Sequence, residues 1–278
     1  MKVSIITATH ESSETISNCI ISVNDQRYPT IEHIVIDGSS KDDTLKVIKG
    51  QPNRVFLMIS EPDKMAYDAL NKGLKYASGD IIGLLHSDDM YGSENTISNI
   101  VDTFERTGAD VVYGDLVFVQ KNNTSKVLRY WKSSPFTRGK LSRGWMPPHP
   151  TVFMRKEVFE KFGCFDLSFR IASDYDFLLR VFKDRALKFE YMPELITRMR
   201  MGGLSTGSLK NIIRKSKEDY LVLKKNNVSF PLLVVMLKIM GKVPQLLKRN
   251  LKQYENKQAH PSDRDYFQPE KAHIHNMS

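Results

Sequence analysis

The stretch Ile81-Ile82-Gly83-Leu84-Leu85-His86-Ser87-Asp88-Asp89 runs from a continuous apolar segment straight into two adjacent carboxylates. A short apolar run without helical spacing, followed by polar turn residues, reads as a buried strand. The two acids then fall at the carboxyl end of that strand, where open α/β sheets bind their ligands. Adjacent carboxylates suit a hard divalent cation, which takes oxygen ligands and can bridge two phosphates. An isolated Asp-Asp serves as well to turn the chain before a helix, so the surrounding sequence has to decide.

Upstream, strand-like runs lie at 3–7, 33–36 and 55–59. Between the first two, Ile16, Cys19, Ile20 and Val23 recur at helical spacing, with Ser13 as a candidate cap. Asp43 is placed to cap a helix over 44–49, residues 65–76 form a third, and Ser93 opens a fourth that reaches Phe104. This alternation predicts an α/β fold with a mostly parallel sheet flanked by helices. From Asp110 the region becomes mixed. Short strands are expected at 111–113, 116–120 and 126–130, with a turn at Asn122-Asn123. A long loop over 131–148 precedes a strand at 151–154 and helices at 156–162 and 174–182. Gly202, Gly203 and Gly207 mark another loop, followed by basic helical patterns and a polar tail.

Composition bounds the reading. A chain of 278 residues, 41% hydrophobic and 26% charged, can bury a substantial core. Cys19 and Cys164 are too few for a disulfide framework, and the apolar opening is too short for a secretory h-region. A cytoplasmic location is therefore expected. Residues 210–257 hold 12 Lys/Arg against 3 Asp/Glu, which accounts for the whole net charge of +9. Such a segment can meet nucleic acid, an anionic membrane or water alone. The apolar run 230–247 is interrupted by Lys238, Lys242, Pro231 and Pro244, too short and too charged to span a membrane. His260, His273 and His275 read as incidental residues of the tail.

Three strand ends carry polar groups: Thr7 to His10, Asp37 to Ser40, and His86 to Asp89. Neither a G-x-G-x-x-G after the first strand nor a GxxxxGK[ST] occurs, so the dinucleotide fingerprint and the P-loop are both absent. A nucleotide diphosphate here needs another anchor, and Asp88-Asp89 with a cation supplies one.

Taken together, five sets of residues resemble family 2 glycosyltransferases of the GT-A fold. They are Ser4 to Thr9, Ile36 to Thr44, Ser60 to Lys64 running into Tyr67 to Gly73, Leu85 to Asp89, and His149 to Phe153. Gly163 to Asp166 and Ala172 to Asp176 follow in the same order. The resemblance covers about 2–205, and within the family it is strongest to transferases of bacterial exopolysaccharide, capsule and O-antigen synthesis.

The resemblance implies a GT-A, Rossmann-like domain over 1–205, divided into a nucleotide-sugar-binding part (1–115) and an acceptor part (116–205). A basic helical appendage (206–257) and a polar tail (258–278) would follow. It implies that Asp37 contacts the nucleoside, that Thr7 and Thr9 line the base, and that Asp63, Lys64 and Asp68 lie near the donor. Asp89 would hold Mn²⁺ or Mg²⁺, Asp88 would contact ribose or metal, and Asp174 would be the catalytic base. Trp145 and His149 would border the acceptor. Local readings compete: Asp37 can form an Asx-turn, Asp174 can cap a helix, and Trp145 can be a buried structural ring. His10, Met65 and Leu70 depart from the family's usual Asn, Gly and Met.

The expected reaction is an inverting transfer from a nucleotide-diphosphate sugar, a UDP-sugar by the resemblance, to a hydroxyl of a glycan or lipid-linked acceptor. The site of action would be the inner face of the cytoplasmic membrane, with residues 210–257 meeting anionic lipid and no nucleic acid involved. A nucleotide-sugar-forming nucleotidyltransferase is one alternative, but His10-Glu11-Ser12-Ser13 does not supply the Gly-rich basic loop that class needs. A catalytically silent carbohydrate- or nucleic-acid-binding protein is another, and the acids at 37, 88, 89 and 174 argue against it.

Overall fold

The computed structural model describes residues 1–202 and 209–241. β1 (Val3–Thr9), β2 (Ile31–Asp37), β3 (Val55–Ser60) and β4 (Ile81–Leu84) pair in parallel in the order β3-β2-β1-β4. The three inner strands are buried on both faces, which is why they read as near-continuous apolar runs. β3, at the sheet edge, is only partly buried.

The crossovers are α1 (Ile16–Asn24), α2 (Thr44–Lys49) and α3 (Ala66–Tyr76). Ile16, Cys19, Ile20 and Val23 of α1 are all buried, as their spacing predicts. Each of the three aliphatic side chains contributes about 1.5–3 kcal/mol by leaving water. The helix starts are built differently from the expectation. Asp43 makes no side-chain cap; Asp42 instead accepts from Thr44 N at 3.0 Å and from Ser13 N at 3.1 Å, tying α2 to the chain entering α1. Ser13 is thus a donor to Asp42, and α1 begins after Thr15 without a side-chain cap.

The second half continues the same sheet in mixed pairing. β5 (Met90–Tyr91) and α4 (Thr96–Thr107) come first, with Ser93 linked to Thr96 Oγ1 just ahead of the helix. The runs expected at 111–113 and 116–120 form one strand, β6 (Val111–Gln120), whose register with its neighbour shifts between Tyr113 and Leu116. β7 (Asn123–Trp131) returns antiparallel to β6. The 151–154 strand begins later than expected, because His149–Thr151 is a 3-10 turn, and β8 is Phe153–Arg155. α5 (Lys156–Phe162), α6 (Ser173–Lys183) and β9 (Phe189–Arg200) complete the sheet.

β9 was not expected from the sequence, yet it pairs with both β6 and β5. Glu190, Pro193, Glu194, Arg198 and Arg200 break its apolar alternation. Its place is fixed by its two neighbours rather than by its own pattern.

α7 (Leu209–Lys225) and α8 (Pro231–Met240) follow. The remainder of the expected appendage and the tail, with Gly203, Gly207, Lys242, Pro244, His260, His273 and His275, lie outside the described residues. Val222, Leu223, Val234 and Val235 are buried in one cluster with Tyr175 and Phe177 of α6. The two helices therefore share the core beneath the sheet. Gly144 (φ +70°) permits the contact with α8: a Cβ there would sit 2.8 Å from Val234 O and from Lys238 Cβ. Among the described residues no helix is long and apolar enough to cross a membrane.

Candidate active site

The ends of β1, β2 and β4 meet as the sheet topology requires. Asp37 ends β2 fully buried; its carboxylate accepts from Ser40 N (3.0 Å), Ser40 Oγ (2.5 Å) and Ser60 Oγ (2.6 Å). This is the Asx-turn, and the same bonds fix the orientation of the carboxylate. Gly38 is required beside it, since a Cβ there would lie 2.5 Å from Asp63 Oδ2 and 3.3 Å from His10 Nδ1. Asp63 and His10 thus close over the β2 turn. Burial raises the Asp63 carboxyl, with Asp68 and Asp37 adding to the rise against Lys72 and His10.

Asp68 takes a local role. It accepts from Lys64 N at 3.1 Å at the start of α3, and Lys72 lies 4.0 Å away. Lys64 itself is exposed. Thr7 does not line a cleft: its hydroxyl is buried, 2.9 Å from His33 Nε2 and 3.7 Å from Cys19 Sγ. Strand alternation turns it toward α1, which corrects the base-lining expectation. Thr9, at the strand end, is buried with an Oγ1 that has no partner.

The acidic pair is divided by its surroundings. Asp88 is partly exposed, whereas Asp89 is buried. Asp89 Oδ1 accepts from Arg200 N at 3.3 Å, and Oδ2 has no hydrogen-bond partner. Burial and then the Asp88 charge push the Asp89 carboxyl well up, against the opposing Arg200. A buried carboxylate oxygen without a partner is costly, and a cation would satisfy it. Asp88 and Asp89 therefore fit a divalent ion. Among the described residues no three His, Cys, Asp or Glu side chains gather into a metal cage, so remaining ligands would have to come from elsewhere.

Asp174 stands in the first turn of α6 with 20% of its side chain exposed. It is not the helix cap. The helix has no side-chain cap bond; Glu218 of α7 accepts from Ile171 N (2.7 Å) and Ala172 N (3.0 Å), just ahead of it. Asp174 Oδ1 accepts from Tyr175 N at 2.7 Å, and Oδ2 lies 3.0 Å from His149 Nδ1. Burial pushes the Asp174 carboxyl up, but His149, then Lys215 and Lys238, outweigh it and hold the group well below the usual range. Asp176, one turn face away, is fully buried against Arg180, Lys225 and Asn226, and serves to join α6 to α7.

His149 in turn meets His86, with 3.1 Å between their Nε2 atoms. The acidic turn and Asp174 are thus joined through two imidazoles. Trp145 departs from the expectation: it packs against Phe136, Tyr113 and Phe182, with Lys140 Nζ 4.9 Å from its ring centroid. Its ring belongs to the core beside α6, which favours the structural reading over a sugar platform. Sequence reasoning missed Arg200, Glu218 and Lys238. The last lies 3.2 Å over the Tyr175 ring and pairs with Asp219 at 2.9 Å.

The Asp88-Asp89 pair, the buried Asp37 at the end of β2 and Asp174 against His149 are the acidic groups that the fold brings to this end of the sheet. Residues 4–163 match the model of the family described as Glycosyl transferase family 2, and the chain belongs to that family. It is 33% identical over 180 residues to an uncharacterized glycosyltransferase of Mycobacterium tuberculosis, covering 64% of this chain and 68% of that one. It is 29% identical over 220 residues to the Escherichia coli UDP-Glc:alpha-D-GlcNAc-diphosphoundecaprenol beta-1,3-glucosyltransferase WfgD, covering 79% and 85%. Among solved structures it resembles Staphylococcus aureus TarS 1–349 in complex with UDP-GlcNAc (TM-score 0.61, 17% identity, 81% of this chain and 65% of that one). Of the longer TarS chain it spans 39%. It also resembles the mannosyltransferase PcManGT of Pyrobaculum calidifontis with GDP-Man and Mn²⁺ (TM-score 0.60, 16% identity, 93% and 75%). At such identities these structures establish the fold, which is GT-A.

Proposed function

We propose that the protein is an inverting glycosyltransferase moving a sugar from a UDP-sugar to a hydroxyl of a glycan or lipid-linked acceptor in cell-surface polysaccharide synthesis. The observation that carries the reading is the link from Asp174 through His149 and His86 to the acidic turn, which sets a polarised carboxylate beside the donor end of the sheet. Asp174 receives the proton of the attacking hydroxyl, and attack from the face opposite the departing diphosphate inverts the anomeric carbon. Asp37, held by Ser40 and Ser60, presents a fixed acceptor to the uracil. Thr9 and Asp63 border that end of the site.

Asp88 and Asp89 hold Mn²⁺ or Mg²⁺. The partnerless Asp89 oxygen and the Mn²⁺ complex of PcManGT support this. A bound cation supplies neutralisation of the charge that develops on a leaving diphosphate. The names of WfgD and of the UDP-GlcNAc complex of TarS favour uridine donors and a lipid-linked acceptor. The test is a panel of UDP-glucose, UDP-galactose, UDP-N-acetylglucosamine and GDP-mannose, with Mn²⁺ or with EDTA, scored by release of nucleoside diphosphate. Release from a uridine donor with Mn²⁺ is the expected result. Release from none of them would sink the transferase reading, and release from GDP-mannose alone would replace the donor.

The acceptor side adds a membrane reading. Phe230, Leu232, Leu233, Met236, Ile239 and Met240 are each more than half exposed. The five on α8 follow helical spacing, forming one apolar stripe opposite the buried Val234 and Val235. Exposed Lys217 and Lys224 on α7, and Arg138 and Arg143 of the 3-10 helix Arg138–Arg143, lie on the two elements that pack against α8. An apolar stripe with basic neighbours suits an anionic lipid interface, each nearby cation adding about 1 kcal/mol. The protein therefore acts at the inner face of the cytoplasmic membrane. Flotation with phosphatidylglycerol vesicles should show binding that weakens with salt and falls at least about fivefold for Leu232→Ser with Met236→Ser. Full-length protein that ignores these vesicles at low salt, or that buries the stripe in a dimer, overturns this part.

A further inference from the structure

The two histidines of the cleft form a chain with only one end at Asp174. A carboxylate can only accept, so His149 Nδ1 must carry the proton it presents to Asp174 Oδ2 across 3.0 Å. The opposite nitrogen, His149 Nε2, faces His86 Nε2 at 3.1 Å, where one ring must donate and the other accept. With His149 neutral, His86 donates; with His149 protonated, His86 accepts. In both cases His86 occupies the nitrogen that points away from Asp174 and leaves His149 one direction in which to present its Nδ1 proton. The rings meet edge to face, with centroids 5.4 Å apart and planes at 71°, which also fixes the rotation of His149.

His86 itself is held by the sheet. It follows β4 directly, and its carbonyl accepts from Asp89 N at 3.0 Å in the acidic turn. His149 is held by the 3-10 turn His149–Thr151, where Thr151 Oγ1 donates to Gly114 O and Val152 N donates to His149 O. Asp174 Oδ2 meets His149 and Oδ1 the adjacent Tyr175 N, with the Tyr67 phenol a further neighbour of the carboxylate. The acidic turn at the end of the sheet therefore reaches the carboxylate through the imidazoles.

We propose that His86 is a positioning residue for the transfer step: it orients His149, which orients the Asp174 carboxylate toward the acceptor hydroxyl. The proposal rests on Asp174 being the base. Geometry of this kind governs kcat, because a small misplacement of a reacting group costs up to about a hundredfold in rate.

The test is a cycle of variants read by kcat, donor KM, UDP affinity and Tm. His86→Leu keeps the bulk and loses the hydrogen bond; His86→Gln retains a group able to donate or accept. We expect His86→Leu to lose about tenfold or more in kcat, with donor KM and UDP affinity within twofold, and His86→Gln to recover most of the loss. In an Asp174→Asn background His86→Leu should bring no further loss, since its effect passes through that carboxylate. His149→Leu should lose at least as much kcat as His86→Leu, with donor KM and UDP affinity kept, which reads the same link should either His86 variant fold poorly. Full kcat in His86→Leu, with Asp174→Asn inactive, overturns the positioning role and leaves the base in place. Additive losses across the cycle overturn it as well, by showing that His86 acts elsewhere. Full turnover in Asp174→Asn removes both the base and its positioning.

Discussion

Asp174→Asn should lower kcat by about a hundredfold or more while leaving UDP affinity within a factor of two. The amide keeps the size of the carboxylate and can still face His149, but it cannot take the proton of the attacking hydroxyl. The structure separates this outcome from a folding defect. Glu218 accepts from Ile171 N and Ala172 N just ahead of α6, so the loss of the Asp174 charge leaves both with their acceptor. The bonds from Tyr175 N and from His149 Nδ1 are touched, and the single amide oxygen can keep one of them. The wild-type carboxyl is held well below its usual range by His149, Lys215 and Lys238 against burial, so it is ionised and able to accept throughout neutral pH. Stopped assays with saturating donor measure kcat, and calorimetry with UDP measures affinity. A variant that binds UDP poorly and turns over normally would make Asp174 a binding residue.

Asp89→Asn is expected to abolish most turnover, by about a hundredfold or more, together with the metal-dependent part of UDP affinity. Asparagine is the sharper change than alanine, because Asp89 is buried and its Oδ1 accepts from Arg200 N, which the amide oxygen can still satisfy. Burial disfavours the ionised form of Asp89, with Asp88 adding to the effect. Removing that charge should therefore leave the Tm without metal unchanged or higher. The rise in Tm that Mn²⁺ with UDP gives the wild type should disappear, since only binding to the folded state produces it. Wild-type behaviour in Mn²⁺, with activity surviving EDTA, would be incompatible with a metal at this pair.

The parts of the fold legible in the sequence were those whose residues decide their own surroundings. The three inner parallel strands and α1 carry uniform burial or clean spacing, and they lie where their patterns put them, within one or two residues. β9 was illegible because Arg198 and Arg200 are buried by partners distant in sequence. Arg200 donates to Lys121 O and to Asn18 Oδ1, contacts no local pattern encodes. The candidate site divides in the same way. Asp37, Asp89 and Asp174 stand out as acids at strand or helix ends, and the structure gives each a distinct setting. Thr7 and Trp145 were misread because a residue type at a motif position does not say which way the side chain points. Thr7 turns inward with the alternation of β1, and Trp145 is held among Phe136, Tyr113 and Phe182. His86 was legible only as part of a polar strand end, because its partner His149 lies 63 residues away.

The bonds from Ile171 N and Ala172 N to Glu218, just ahead of α6, and the seating of Lys238 over Tyr175 bear on how such an enzyme can be recombined. The helix that carries Asp174 is completed by chain contributed after the sheet has ended. A chimera that joins this sheet to the terminal helices of a relative would therefore exchange half of the scaffold around its own reactive aspartate. Crossovers placed between β9 and α7 cut through that scaffold. Recombination that aims to trade acceptors has to move α6, α7 and α8 as one cassette, leaving β1 to β4 to keep the donor.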